Sequence, residues 1–588
     1  MRKPFQTYLV LVLWLVIIFP FYSLAQVIEY HLEIDEKNWK SFHVRISIEN
    51  VTQDQVELIM PKWRPGAYLE INSYKFIENL RAFGESTTEL PITQLDENIW
   101  SIEAKQSSIV RIEYDVDHSG PRFMTSYVSR KYAIVDGAMN FLYVKGKKNV
   151  PININLRVPH GWKVASALPN GQSSFDFVAN NYDELIDSPI LFSNFREYYF
   201  TLDKQPFYVI LNGRANFDIN NFLVMIKRIV NYQGAFFDGF PFNKYMFLVH
   251  VIPESPGGGG LEHSNSSLIM LGENFLQENP RKAANIIAHE FFHTWNIKRI
   301  YPEVYASYDY TIPERTRNLW FCEGVTSYYA DLTLIRTNIW SERDFLDNQA
   351  RLIKKHRENP DRTETTLEEA SLKIWERGYN HPGISFYDKG QLVALLLDLS
   401  IRYNTHNSRS LDDVMRFMNN WFAKHNEGYK ENDVLRAVNS ISGHNYSDFF
   451  NKYISGTIDL PYEEYLKYGG IDAYIRHELD IFKLSEDDNK IIAINDSNSF
   501  AKAGLQIGDE IQLLNDFIVS GQDSMNQILK NIEPGQEVEI KYKRFNEEKR
   551  IKAILEPTGQ IVVDLNYNPA PDSLQLMIRT SMLGGGIY

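Results

Sequence analysis

The sequence predicts a multidomain α+β chain, and three observations carry that prediction. Apolar and polar residues alternate in short runs from residue 26 to about 215, helical periodicity dominates from 216 to about 465, and short strands return with one helix over 470–560. With 588 residues, 44% of them hydrophobic, the chain can bury several cores. A formal net charge of -14, without clustered Lys and Arg, argues against a nucleic-acid partner. Cys322 is the single cysteine, so no intramolecular disulfide can form and a cysteine-based metal or redox site is excluded. Beside Glu323, it reads as a small buried apolar residue.

Residues 1–25 read as a secretory signal peptide. Arg2 and Lys3 precede the apolar run Tyr8 to Phe21, and Ser23-Leu24-Ala25 supplies the small residues before a cleavage point at Gln26. A periplasmic or secreted location is expected. An uncleaved anchor is the competing reading, and the shortness of the run disfavours it.

Over 26–215, YHLEIDEK, FHVRISIEN, VRIEYDVD and ININLRVP alternate as strands of an antiparallel β-domain, expected to support and shield one side of the active site. WRPGAYLEINSYKFIENLRA, from Trp63, interrupts the pattern and reads as a turn followed by an irregular or helical piece. FLVMIKRIVNYQGAFF then begins the helical region, and KYMFLVHVIP reads as a strand leading to the glycine run Gly257 to Gly260.

The chemistry centres on AHEFFHTWNIKRIYPE, Ala288 to Glu303. On a helix, His289 and His293 lie one turn apart on one face, where both imidazoles can reach a single zinc ion, and Glu290 points at the metal-bound water. Asn279-Pro280 is a plausible helix start. Zinc needs a third protein ligand, and Glu323 in the buried helical segment LWFCEGVTSYYADL supplies one. An accidental five-residue match is the bland alternative, which Glu323 weakens.

Upstream, Gly259 and Gly260 bring backbone close to bound substrate, and Glu262 is placed to pair with a cation such as an α-amine; a flexible loop with a solvated glutamate explains the same residues equally well. Tyr387, at the start of the helix DKGQLVALLLDLSIRYN, can donate its phenol to a developing oxyanion or can simply pack. The helical lobe ends near Leu460. The small module over 470–560 contains SFAKAGLQIGDEIQLLND and the hairpin VEIKYKRF–KRIKAILE, and the tail 561–588 carries weak structure signals.

WRPGAY, GGGGLEH, HEFFHTWNIKRI, LWFCEGVTSYY, YDKG and AGLQIGDEI together resemble the PDZ-containing glycyl aminopeptidases, zinc exopeptidases with a thermolysin-like catalytic domain. The resemblance implies an N-terminal β-domain at 26–215, a mainly helical thermolysin-like domain at 216–465 and a C-terminal PDZ domain at 470–560. It implies one zinc ion held by His289, His293 and Glu323, Glu290 as general base and Tyr387 as oxyanion donor. Through similarity to the aminopeptidase N group, it also implies Glu262 as the grip on the substrate's α-amine. The motif here reads Gly-Leu-Glu-His where that group has Gly-x-Met-Glu-Asn, so His263 receives no role. The stretch Thr294 to Cys322 is also longer than that group's, and its insertion is expected to shape the substrate pocket.

The expected function is an exported zinc aminopeptidase acting on peptides with a free N-terminus, with glycine or alanine preference implied by the family alone. The alternatives are a thermolysin-like endopeptidase and a PDZ-type scaffold with a structural zinc. The PDZ module is a possible binder of a C-terminal peptide by strand addition.

Overall fold

The computed structural model describes residues 27–584 apart from 106, 119–124, 215, 279, 378–382, 480 and 530. The expected signal peptide and Asn279 lie outside the described residues.

Alternation in the first domain becomes a seven-stranded sheet and two four-stranded sheets around one core. Ser41–Glu49 pairs with Ile28–Glu33 on one side and Ile109–Asp117 on the other, burying Phe42, Val44, Ile46 and Ile48 while the residues between them face outward. The piece expected to be irregular or helical contains a short 3₁₀ turn, Ser73–Phe76, and then a strand, Ile77–Phe83. Its sequence lacks clean alternation because a bulge between Glu78 and Arg81, with Asn79 at φ 55°, shifts the register.

The catalytic domain contains more sheet than expected. Five strands, β1 (Arg196–Leu202), β2 (Gln205–Asn212), β3 (Tyr245–Ile252), β4 (Gly258–Glu262) and β5 (Ser266–Gly272), form one sheet in the order β1-β2-β3-β5-β4. Residues 196–212 therefore pair with the strands after the expected boundary at 215, since alternation alone does not say which sheet a strand joins. Gly258 to Gly260 of the glycine run form the start of the edge strand β4, where a flexible loop was one expectation.

Helix α2 (Pro280–Phe292) packs on β4 and β5 of this sheet, and α1 (Ile219–Phe236), α3 (Thr326–Arg336), α4 (Glu342–Glu358) and α5 (Asp388–Asn404) share one core with it. Asp218 caps α1 by accepting from the amides of Asn220 and Asn221. Helix α5 is buried from Lys389 through Arg402, so its apolar positions run all round instead of forming a stripe.

The PDZ-like module has its own core, which includes Phe482, Phe500, Ile511, Val538 and Leu555, and a four-stranded sheet. Its hairpin turns at Phe545-Asn546, both at positive φ as a two-residue turn requires. The chain does not end there. Pro557–Tyr567 runs back antiparallel to Ile471–Leu479, and α6 (Ser573–Gly584) docks on the catalytic domain, burying Ile578, Met582 and Leu583. Arg336 of α3 donates to the Met582 carbonyl at 2.8 Å. The weak signals of the tail are those of a segment stabilised by docking and not by local propensity.

If the tail is integral to the catalytic core, Met582→Ala should lower unfolding stability by about 2–5 kcal/mol, read from the denaturant midpoint. An unchanged midpoint would mean that α6 does not contribute to the fold.

Candidate active site

Helix α2 carries His289, Glu290 and the following His293, and the buried Phe291 and Phe292 between them anchor it; Phe292 stacks on Tyr329 of α3 with ring centroids 4.8 Å apart. The imidazoles are oriented from behind. His293 Nδ1 lies 2.9 Å from the Asn296 carbonyl, and His289 Nδ1 lies 3.3 Å from Ser327 Oγ. Asn296 in turn donates to the Phe321 carbonyl at 2.8 Å and to Thr326 Oγ1 at 3.0 Å, tying the end of α2 to the segment that carries Glu323. The next residue, Ile297, sits at φ 92°, an unusual conformation for a β-branched residue and a point of backbone strain beside the site.

Glu323 lies in a π-helical turn, Trp320–Val325, directly before α3. Such single wide turns bulge a helix and redirect its side chains. Glu323 Oε2 stands 3.3 Å from His289 Nε2 and 3.2 Å from His293 Nε2, and the two nitrogens are 3.0 Å apart. Its other oxygen accepts from the Tyr68 hydroxyl at 2.6 Å. Ligand atoms about 2.0–2.2 Å from a tetrahedral zinc stand roughly 3.3 Å from one another, so this triangle fits the ion.

The electrostatics point the same way. Glu262, Glu290 and Glu323 are all buried within reach of one another, and Glu262 Oε1 and Glu290 Oε2 have no hydrogen-bond partner among the described residues. Burial pushes the Glu290 carboxyl well above its ordinary range, with His293 opposing and Glu262 and Glu323 adding to the rise. Burial opposes ionisation of Glu323 too, but the two histidines hold it well below the usual carboxylate range. His293, against the pull of burial, is raised to about 10 chiefly by Glu323. Three buried carboxylates clustered round His293, which they draw towards the protonated form, mark a place that a cation stabilises.

Close backbone approach brings these groups together. A Cβ on Gly260 would stand 2.1 Å from Glu290 Cγ, so only glycine lets β4 pass the zinc-motif helix. A Cβ on Gly66, at φ +81°, would stand 2.6 Å from Glu262 Oε1. A Cβ on Gly324 would stand 2.5 Å from Gly390 Cα, the contact that sets Glu323 against the start of α5. Tyr387, just ahead of α5, has its ring 6.1 Å from that of His289. A cavity of about 460 Å³ is lined by His289, Glu290, His293, Glu323, Tyr387, Glu262 and Gly260, with Arg64, Gly66, Ala67, Leu69 and Ile71 of the first domain completing its wall. Gly259 lies in β4 opposite Met270, one residue before the wall begins at Gly260.

All the candidate residues except Gly259 thus meet around one cavity, but the sequence reading missed what the first domain contributes. Beyond shielding the site, it supplies Tyr68 to Glu323 and Gly66 to Glu262; WRPGAY was the available signal, without a charge pattern to assign it chemistry. His263 acquires a place: its Nδ1 lies 3.2 Å from Asp187 Oδ1, which also pairs with Lys298 Nζ at 2.8 Å, so the residue after Glu262 is pinned to the first domain. The insertion after the second histidine clasps that domain as well. The Asp309 carbonyl accepts from Trp63 Nε1 at 2.7 Å, and the Tyr310 hydroxyl donates to Asp183 at 2.8 Å. Its tyrosines line a neighbouring cavity of about 350 Å³ and not the one holding the histidines. Cys322 is fully buried, its thiol pushed up by burial and 3.4 Å from the Tyr429 hydroxyl.

Three family models match the chain: the Peptidase M61 N-terminal domain over 29–194, the M61 glycyl aminopeptidase over 282–393 and the PDZ domain over 481–555. Among solved structures, an aminopeptidase N family protein from Idiomarina loihiensis is similar at 25% identity with a TM-score of 0.76, over 95% of this chain and 100% of that one. An M1 zinc metallopeptidase from Deinococcus radiodurans is 12% identical with a TM-score of 0.46, over 74% of this chain and 95% of that one, too loose a likeness to inform the site. No curated protein matches. The second family match spans every residue from the first histidine to Tyr387, and with the two flanking matches and the Idiomarina structure it makes the chain a metallo-aminopeptidase similar to the M61 glycyl aminopeptidases, with a PDZ domain after the catalytic one.

Proposed function

We propose that this enzyme is exported and removes small first residues, glycine or alanine, from peptides with a free N-terminus, using one zinc ion per chain. The observation that carries the reading is the triangle of His289 Nε2, His293 Nε2 and Glu323 Oε2, 3.0–3.3 Å on each side, sharing its cavity with the buried Glu262 carboxylate. Those three residues would hold the zinc, which when bound supplies a Lewis acid for the scissile carbonyl and lowers the pKa of a water.

The chain's own residues do the rest. Glu262 binds the α-amine as an ion pair, which fixes the first residue and enforces exopeptidase action. The edge strand β4, bare of side chains at Gly259 and Gly260, lets the substrate backbone lie alongside. Glu290 takes the proton of the attacking water and delivers it to the departing amine. Tyr387 donates its phenol to the oxygen that gains charge. Small first residues suit a wall in which Gly66 backbone meets the Glu262 carboxylate and Ala67, Leu69 and Ile71 close the apolar side. The PDZ module takes a C-terminal peptide by strand addition.

Glu290→Gln should keep its zinc, measured by metal analysis, and lose turnover of glycyl arylamide by about 10²–10⁴-fold; unchanged turnover would remove Glu290 from the mechanism. On the wild type, equal cleavage of the free-amine and N-acetyl substrates would make the enzyme an endopeptidase. Tyr68→Phe, which removes the hydrogen bond on Glu323, should weaken zinc binding about 10–100-fold in a chelator competition; unaltered affinity would make that bond incidental. Export rests on Arg2, Lys3, the run Tyr8 to Phe21 and Ser23-Leu24-Ala25. N-terminal sequencing of the secreted or periplasmic protein should begin at Gln26, and an intact Met1 would refute cleavage.

A further inference from the structure

We propose that Asp331 is a positioning residue, a buried carboxylate that fixes the three helices of the site against one another; this rests on the residue roles proposed above. Asp331 is 1% exposed and lies on α3, eight residues beyond Glu323. Its Oδ1 accepts from Asn285 Nδ2 at 2.8 Å, on α2 one turn before His289. Its Oδ2 accepts from Gln391 Nε2, on α5 one turn after Tyr387, and from Asn348 Nδ2 at 2.7 Å and Gln349 Nε2 at 2.9 Å on α4.

Four neutral amides thus converge on one carboxylate, which makes no ion pair among the described residues. Only a carboxylate offers enough acceptor positions for them; an amide in its place would turn an NH₂ towards N–H donors. Burying an unpaired carboxylate is unfavourable. Burial accordingly raises Asp331 to about 7, with the bonds from Asn348, Gln349 and Gln391 pulling it back. An apolar side chain would fill the space more stably, but it would not fix direction. The bonds from Asn285 and Gln391 each hold a site helix one turn from the group it presents, whereas α4 carries no site residue. The arrangement therefore contains its own control: arms of one carboxylate that reach the site helices, and arms that do not.

The test compares full-length, zinc-loaded Asp331→Asn, Asn285→Ala, Gln391→Ala and Asn348→Ala enzymes for kcat and KM on glycyl arylamide, zinc affinity by chelator competition, and melting temperature. Asp331→Asn, Asn285→Ala and Gln391→Ala should lower kcat about tenfold or more, and Asn285→Ala should also weaken zinc binding about tenfold. KM should stay within about twofold in all of them. Asn348→Ala should lower the melting temperature comparably and leave kcat unchanged. Equal losses of melting temperature with kcat and zinc affinity unaltered throughout would overturn the proposal and make Asp331 a packing residue. If Asp331→Asn does not fold, the three single-donor variants decide. A wild type that binds zinc yet leaves the arylamide intact would refute the functional reading instead, and zinc affinity across the variants would still decide this one.

Discussion

Two imidazole nitrogens and a carboxylate oxygen held 3.0–3.3 Å apart are the constraint on which the rest of this structure depends. Such a triangle is unfavourable without a cation, because it concentrates donors and a charge in a dry place. Everything that touches it resists relaxation. Asn296 and Ser327 hold the outer nitrogens, Tyr68 holds the second oxygen of Glu323, and the π-helical turn aims that glutamate inward. The ligands are thus hydrogen-bonded from behind and face the cavity.

Backbone proximity is the second theme. Gly66, Gly260 and the Gly324–Gly390 pair each occupy a position where a methyl group would collide with a site residue or with backbone. These contacts join five separate stretches of chain: the loop at Gly66, strand β4, helix α2, the π-helical turn that carries Glu323 and helix α5. The first domain is bound into the same arrangement by Asp187 with Lys298 and His263, and by the clasp of Trp63 and Asp183 on Asp309 and Tyr310. A catalytic domain without its β-domain would lose both the hydrogen bond on Glu323 and one wall of the cavity.

The helix with two histidines was legible because 3.6-residue periodicity and ligand chemistry act over five residues. Glu323 followed from the need for a third ligand, and the resemblance to a known family favoured the oxyanion role of Tyr387 and the amine grip of Glu262 over the packing and loop readings that the residues alone left open. Tyr68 was not legible: its hydroxyl meets Glu323 across 255 positions of sequence, and no local pattern encodes such a meeting. The same holds for β1 and β2, whose alternation fits either neighbouring sheet, and for α6, which is helical because it docks. The bulge at Asn79 hid a strand, since one extra residue breaks the two-residue period on which strand recognition relies.

A crystal of the zinc enzyme with a glycine-derived hydroxamate, measured across the zinc absorption edge, would show which residues hold the metal and which one meets the amine. The expected result is one anomalous peak ligated by His289, His293 and Glu323, with the inhibitor's amine within hydrogen-bond distance of Glu262. A metal bound elsewhere would refute the His289–His293–Glu323 site, and an amine directed away from Glu262 would refute its grip on the substrate.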